Sequence, residues 1–401
     1  MPQLYRLLFS LYWAQGLPVG FMTHALPVIL RAEGVSLAHI GGFGLLMLPW
    51  SIKILWAPLV DRYGRCKTWI VPLQVCMILS LVALSFLPIS ALNQSQYLLL
   101  FFVLLLCMNL AAATQDIATD GLAVTQLKTQ NQHWGNTLQV VGSRLGFIVG
   151  GGGVLWVLGL WHWQVTFLML AALVFLNSLP ILLMPNTQAH AARHPSQPKH
   201  NLKSYLRYFK SSAELWAWLG VLLSFKLADG LAGPILKTLM VDLGLSLQQI
   251  GLYITILGAV AALLGAGLAG LLLKYLSRVQ ALILFSLLKI ASLLGFLWLA
   301  IQYQQKRFVA PIWIYLLNAF EDLSSSMLLV MMLTLIMHYS RKAWAATDFT
   351  LQVSIMATIS GVLYVLSGMV AEMTGYVVYL GCIVMIAIFS LYPIYRWKNM
   401  L

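Results

Sequence analysis

Asp116 and Asp120 stand four residues apart in a long apolar stretch that includes the unbroken run Leu98 to Ala113. On a helix that spacing puts both carboxylates on one face. Away from water the two cannot both ionise cheaply, so this is a pattern suited to holding and releasing a proton. Three more acids (Asp229, Glu321, Asp322) and four bases (Lys53, Arg144, Lys226, Lys289) interrupt other apolar stretches. Lys226 and Asp229, three apart, can pair along one helix. The adjacent Glu321 and Asp322 point about 100° apart, so one of them is expected to face a central cavity. Arg144, within Gly142-Ser143-Arg144-Leu145-Gly146, can neutralise Asp116 or Asp120, or hold a carboxylate or hydroxamate of a substrate. Each charge can also be read as a static ion pair that fixes packing, Lys53 and Lys289 most readily.

The elements that position these residues follow from composition. Of 401 residues 61% are hydrophobic and 9% charged, against about 25% charged in soluble domains. A soluble fold could not cover its surface, and disorder needs far less apolar material. Runs such as Leu98 to Ala113 and Ile250 to Leu273 are continuous, unlike the alternating strands of a transmembrane barrel. The expectation is an all-α membrane protein in which a charge at bilayer depth costs about 2.5–3.5 kcal/mol.

Apolar runs predict twelve spans: 5–30, 37–59, 68–92, 97–125, 135–159, 164–185, 213–241, 247–273, 279–303, 310–339, 348–371 and 375–395. The polar stretch 186–212 separates an N-terminal six-helix half, 1–185, from a C-terminal one, 213–401, and is expected to be a cytoplasmic linker. With both termini inside, the cytoplasmic loops and ends carry 16 Lys and Arg and the opposite side 4 (Arg31, Lys237, Lys306, Arg307). This bias orients the chain. The net charge of +13 is therefore topological and calls for no nucleic-acid partner. No small-residue cleavage site follows the first run, so it is expected to be a retained helix.

The halves repeat. Gln15-Gly16-Leu17 echoes Asp229-Gly230-Leu231, Gly34-Val35-Ser36-Leu37 echoes Gly244-Leu245-Ser246-Leu247, and Thr137-Leu138-Gln139-Val140 echoes Thr350-Leu351-Gln352-Val353. Gln115-Asp116 falls near Glu321-Asp322. Two six-helix halves in parallel repeat describe a secondary transporter with its site between them. Gln15, Gln139 and Gln352 join Arg144 and Lys226 as candidate substrate contacts. Asp116, Asp120, Asp229, Glu321 and Asp322 are the proton-coupling candidates. Among these, Asp116 comes first and Asp229 second, with Arg144 and Lys226 as opposing bases. Asp61, Arg62, Gly64 and Arg65, in the loop after the second span, are gating candidates; Asp61 can cap a neighbouring helix or pair with an arginine.

Other features are plainer. Cys66, Cys76, Cys107 and Cys382 have no metal or redox spacing, and the linker histidines are read as solvated. No metal or cofactor is expected. Gly150 to Gly153 lacks the Lys-Ser/Thr of a phosphate loop and suits close helix approach. No His-Glu-x-x-His or Gly-x-Ser-x-Gly pattern argues for an enzyme. A receptor or scaffold would not need nine charges in its spans.

Asp61-Arg62-Tyr63-Gly64-Arg65, at this place in a twelve-helix chain, resembles the signature loop of the major facilitator superfamily. Lys53-x-x-Trp56-Ala57-Pro58-Leu59-x-Asp61-Arg62, Gln115-Asp116-Ile117, Arg144-Leu145-Gly146 and Lys226-Leu227-x-Asp229 together look like the AmpG-related branch of that superfamily. The resemblance implies the major facilitator fold and proton-driven import across a bacterial inner (cytoplasmic) membrane. The chain is also similar to the short, twelve-helical RhtX/FptX-type siderophore permeases, notably in Gln15-Gly16-Leu17-Pro18-x-Gly20-Phe21. The expectation is therefore a monomeric proton symporter of a siderophore or ferric siderophore, with muropeptide import as the alternative.

Overall fold

The computed structural model describes residues 2–33, 43–63, 65–88, 92, 94–184, 207–246 and 249–401. Among these every regular element is helical. Continuous apolar sequence leaves backbone groups no partner but their own helix, which is why each run folds this way. The helices are α1 (Pro2–Gly20), α2 (Leu26–Ala32), α3 (Leu48–Ile52), α4 (Ala57–Arg62), α5 (Cys66–Ser85), α6 (Ser95–Gln126), α7 (Gln132–Ile148), α8 (Val154–Leu160), α9 (Trp163–Leu183), α10 (Ala213–Asp242), α11 (Leu257–Leu272), α12 (Arg278–Gln304), α13 (Pro311–His338), α14 (Ala345–Phe389) and α15 (Leu391–Lys398). Ten helical stretches among the described residues are long and apolar enough to cross a membrane.

The ten differ from the expected twelve at the first two runs. The first is helical but passes through a π turn at Phe21–Ala25. The second is broken into α3, a 3-10 turn at Lys53–Leu55 and α4, with Pro49 and Pro58 each opening a short helix. π turns also interrupt the runs at Val149–Gly153 and Ile250–Ile256. The last two expected spans form one helix, α14, bent where Gly375 takes φ 74°. The polar stretch 186–212 lies mostly outside the described residues.

The chain forms two compact units, 1–197 with 340–351, and 198–339 with 352–401. The start of α14 therefore belongs to the first unit. There α1 lies directly on α7: a side chain at Gly16 or Gly146 would overlap the carbonyl oxygen of Ser143 or Trp13. The core of this unit centres on Phe21, Phe101, Trp163 and Phe167, and the Trp163 indole donates to the Leu84 carbonyl at 2.9 Å. The second unit has its own core around Leu239, Phe296, Leu299 and Leu380.

Candidate functional site: two buried charge clusters

In the first unit, α6 presents Asp116 and Asp120 one turn apart, both buried. The break at Lys53 turns that ammonium onto Asp116, forming a buried ion pair. Two indoles strap the broken run to α6, Trp50 on Asn109 at 3.2 Å and Trp56 on Thr114 at 3.1 Å. Asp120 has neutral partners. Its Oδ1 accepts from the Tyr12 hydroxyl at 2.9 Å and the Gln139 amide at 3.1 Å. Gln15 donates to Thr119 at 3.0 Å. The expected neutralisation of Asp116 or Asp120 by Arg144 does not occur. Arg144 lies some 160° around α7 from Gly146 and the α1 contact, is exposed, and enters no ion pair among the described residues.

In the second unit the charges form a chain. Lys226 reaches Asp229 Oδ2 at 2.7 Å, and Lys289 reaches Asp229 Oδ1 at 2.7 Å. Lys289 also contacts Glu321 and donates to Ser325 Oγ at 2.5 Å. Two bases thus offset two acids. Asp322 turns away from this chain, as the 100° step requires, and accepts from Asn318 at 2.9 Å beside Gly258. Asp229 and Lys289 are the charged residues of a pocket lined also by Ser224, Ser286 and Ser390 and by apolar residues such as Leu282, Ile290 and Met332. Gln352, expected to contact substrate, is buried; it accepts from the Trp218 indole at 2.7 Å and donates to the Ile336 carbonyl at 3.3 Å. It braces helices.

Among the gating candidates, Asp61 caps α14. Oδ1 accepts from the Ala346 N–H at 3.1 Å, and Oδ2 from the Thr347 N–H at 2.7 Å and hydroxyl at 2.5 Å. Burial pushes the Asp61 carboxyl up to about 6, against the lowering effect of these bonds, and nearby Asp348 adds to the rise. Asp348 is itself held by Arg341, at 2.7 and 2.8 Å. Arg62 and Arg65 are exposed. Gly64 lies outside the described residues.

Sequence reasoning did not single out Tyr12, and Gln115 stands in the repeat and in the family motif without being a site candidate. Tyr12 lies one turn before Gln15, a signal that was available. Gln115 is fully buried, and neither end of its amide has a hydrogen-bond partner. Among the described residues no cluster of His, Cys, Asp and Glu is arranged to hold a metal ion.

A family profile described as Acetyl-coenzyme A transporter 1 matches residues 3–156. The anhydromuropeptide permease of Escherichia coli K12 is 28% identical over 355 residues, covering 86% of this chain and 70% of the permease. The AmpG 4 transporter of Rickettsia conorii is 24% identical over 389 residues, covering 93% and 91%. FucP, a Major Facilitator Superfamily transporter solved in the outward conformation, matches with a TM-score of 0.70 at 17% identity, covering 97% of this chain and 98% of FucP. The chain thus has the major facilitator fold, is a multi-pass membrane protein, and has AmpG-related permeases among its relatives. The expectation of siderophore uptake is overturned: these sequence relatives are an anhydromuropeptide permease and a transporter named AmpG 4.

Proposed function

We propose that this chain is a proton-driven permease importing anhydro-sugar peptides of the cell wall across a bacterial inner membrane. The observation that carries the substrate class is the 28% identity, over 86% of this chain, to the anhydromuropeptide permease. The charge bias supports both termini being cytoplasmic. The chain works by alternating access as a monomer of two halves, 1–185 and 213–401, joined by the linker 186–212.

Asp120 is the proton carrier in this reading. Protonating Asp116 would strand the Lys53 ammonium, whereas protonating Asp120 breaks no ion pair. Arg144 is the anchor for a substrate carboxylate, since its guanidinium has no acid partner in the described residues and can bind bidentately. Gln15 and Gln139 lie beside Thr119 and Asp120, where substrate and proton can sense each other. In the second half, Lys226, Asp229 and Glu321 are the polar residues assigned to the transport path, and Asp322 is a second protonatable acid. Asp61, with Arg62, Gly64 and Arg65, forms a latch whose cap on α14 must break during the cycle.

A strain deprived of this permease should release labelled anhydro-sugar peptides to the medium, and restoring the chain should stop the loss. Unchanged recycling in the deprived strain would contradict the reading.

A further inference from the structure

We infer that a groove between the start of α10 and α15 is a binding site for an anionic phospholipid. Trp216, Gly220 and Leu223 recur at helical spacing along one face of α10 and form one wall. Tyr392, Pro393 and Arg396 of α15 form the other. The groove is open because position 220 has no side chain: the nearest atom to a Cβ placed there would be Pro393 Cβ, at 3.9 Å. Trp216, Leu223 and Tyr392 are exposed large side chains.

The chemistry changes along its length. From Trp216 to Leu223 the helix rises about 10 Å, the distance from a headgroup to the upper acyl chain. At the Trp216 end, the Lys210 ammonium lies 5.7 Å from the indole centroid. Arg396 follows Tyr392 by one turn, so both stand on the groove side of α15. Neither Lys210 nor Arg396 enters an ion pair among the described residues. The nearby acid, Glu214, lies about 200° around α10 from Trp216 and accepts from Tyr339 at 2.6 Å. Trp397 lies 6.1 Å from Trp218 and Ser390 bonds the Ser224 carbonyl, so Arg396 stands toward the Trp216 end. The site offers two cations and an indole there and, apart from the Tyr392 hydroxyl, apolar walls at the other end. That matches an amphiphile with one anionic phosphate head, which basic residues at a membrane face attract. The inference does not depend on which solute the chain carries.

The test is native mass spectrometry of the purified full-length protein with phosphatidylglycerol or phosphatidylcholine of matched acyl chains. Wild type should retain phosphatidylglycerol in preference. Arg396→Gln should lower that retention about fivefold, the effect of one basic residue at a membrane surface. Gly220→Leu should lower it by filling the groove with no change of charge, and Lys306→Gln, outside the groove, should not. Equal retention of both lipids by wild type overturns the inference. So does full retention by Gly220→Leu, or displacement of the lipid by inorganic phosphate alone. Arg396 is exposed, so its variant keeps the fold and the test holds even if Gly220→Leu does not.

Discussion

The Asp61 carboxylate receives the backbone N–H of Thr347 at 2.7 Å, a contact between residues 286 positions apart in the chain. It satisfies first-turn N–H groups of α14 from outside the helix, as an N-cap side chain does. The free carboxyl titrates near 3.9, and in the capped position it sits at about 6. A raised folded value means the contribution is fully present below the unfolded value and fades as pH rises through about 6. The melting temperature of wild type relative to Asp61→Asn should therefore fall between pH 5 and pH 7.5. A difference that stays flat contradicts the assignment. Asp61→Asn should also slow transport more than it lowers protein abundance.

Lys53 and Asp116 are a buried pair, and removing one partner leaves a charge without compensation. Lys53→Met should cost about 3–5 kcal/mol of stability, and the double variant Lys53→Met with Asp116→Leu should recover most of it. Thermal unfolding of the purified protein measures both. Equal stability of Lys53→Met and wild type would contradict a buried pair.

How much of this was legible in sequence depends on what each feature rests on. Helices rest on unbroken apolar runs, and those are visible in sequence. The second run looked like one helix from 37 to 59, yet it breaks at Lys53; hydropathy does not register a change of backbone direction inside an apolar run. The charges in the spans were visible too, but their partners were not. Arg144 stood out as a partner for Asp116, whereas the break at Lys53 brings that lysine to Asp116, and Arg144 is exposed. Pairing depends on the rotation of each helix about its axis, which residue type alone does not fix. Gln352 was read from the repeat as a counterpart of Gln139, but Gln139 bonds the Asp120 carboxylate whereas Gln352 bonds the Trp218 indole and the Ile336 carbonyl.

Gly146 sets the spacing of α1 and α7. A methyl there would overlap the Trp13 carbonyl oxygen. Gly146→Ala should destabilise the protein by about 1–3 kcal/mol through overpacking. Gly152→Ala should be tolerated, because nothing lies within 4 Å of a Cβ at that position. Melting temperatures of the two variants give the comparison, and equal losses would contradict the packing account.

Arg144→Lys keeps the charge and removes the planar fork. If Arg144 binds a substrate carboxylate bidentately, kcat/KM for uptake should fall by about tenfold or more, with the melting temperature unchanged. Full activity in this variant would remove Arg144 from the substrate site.

The most direct measurement is accumulation of a labelled anhydro-sugar peptide in proteoliposomes under an imposed pH gradient. Wild type should concentrate the peptide above the outside level, and collapsing the gradient should release it. Asp120→Asn should let the peptide equilibrate without concentrating it. Failure of wild type to accumulate the peptide under the gradient, or uphill accumulation by Asp120→Asn at the wild-type level, would contradict a proton-driven permease that works through Asp120.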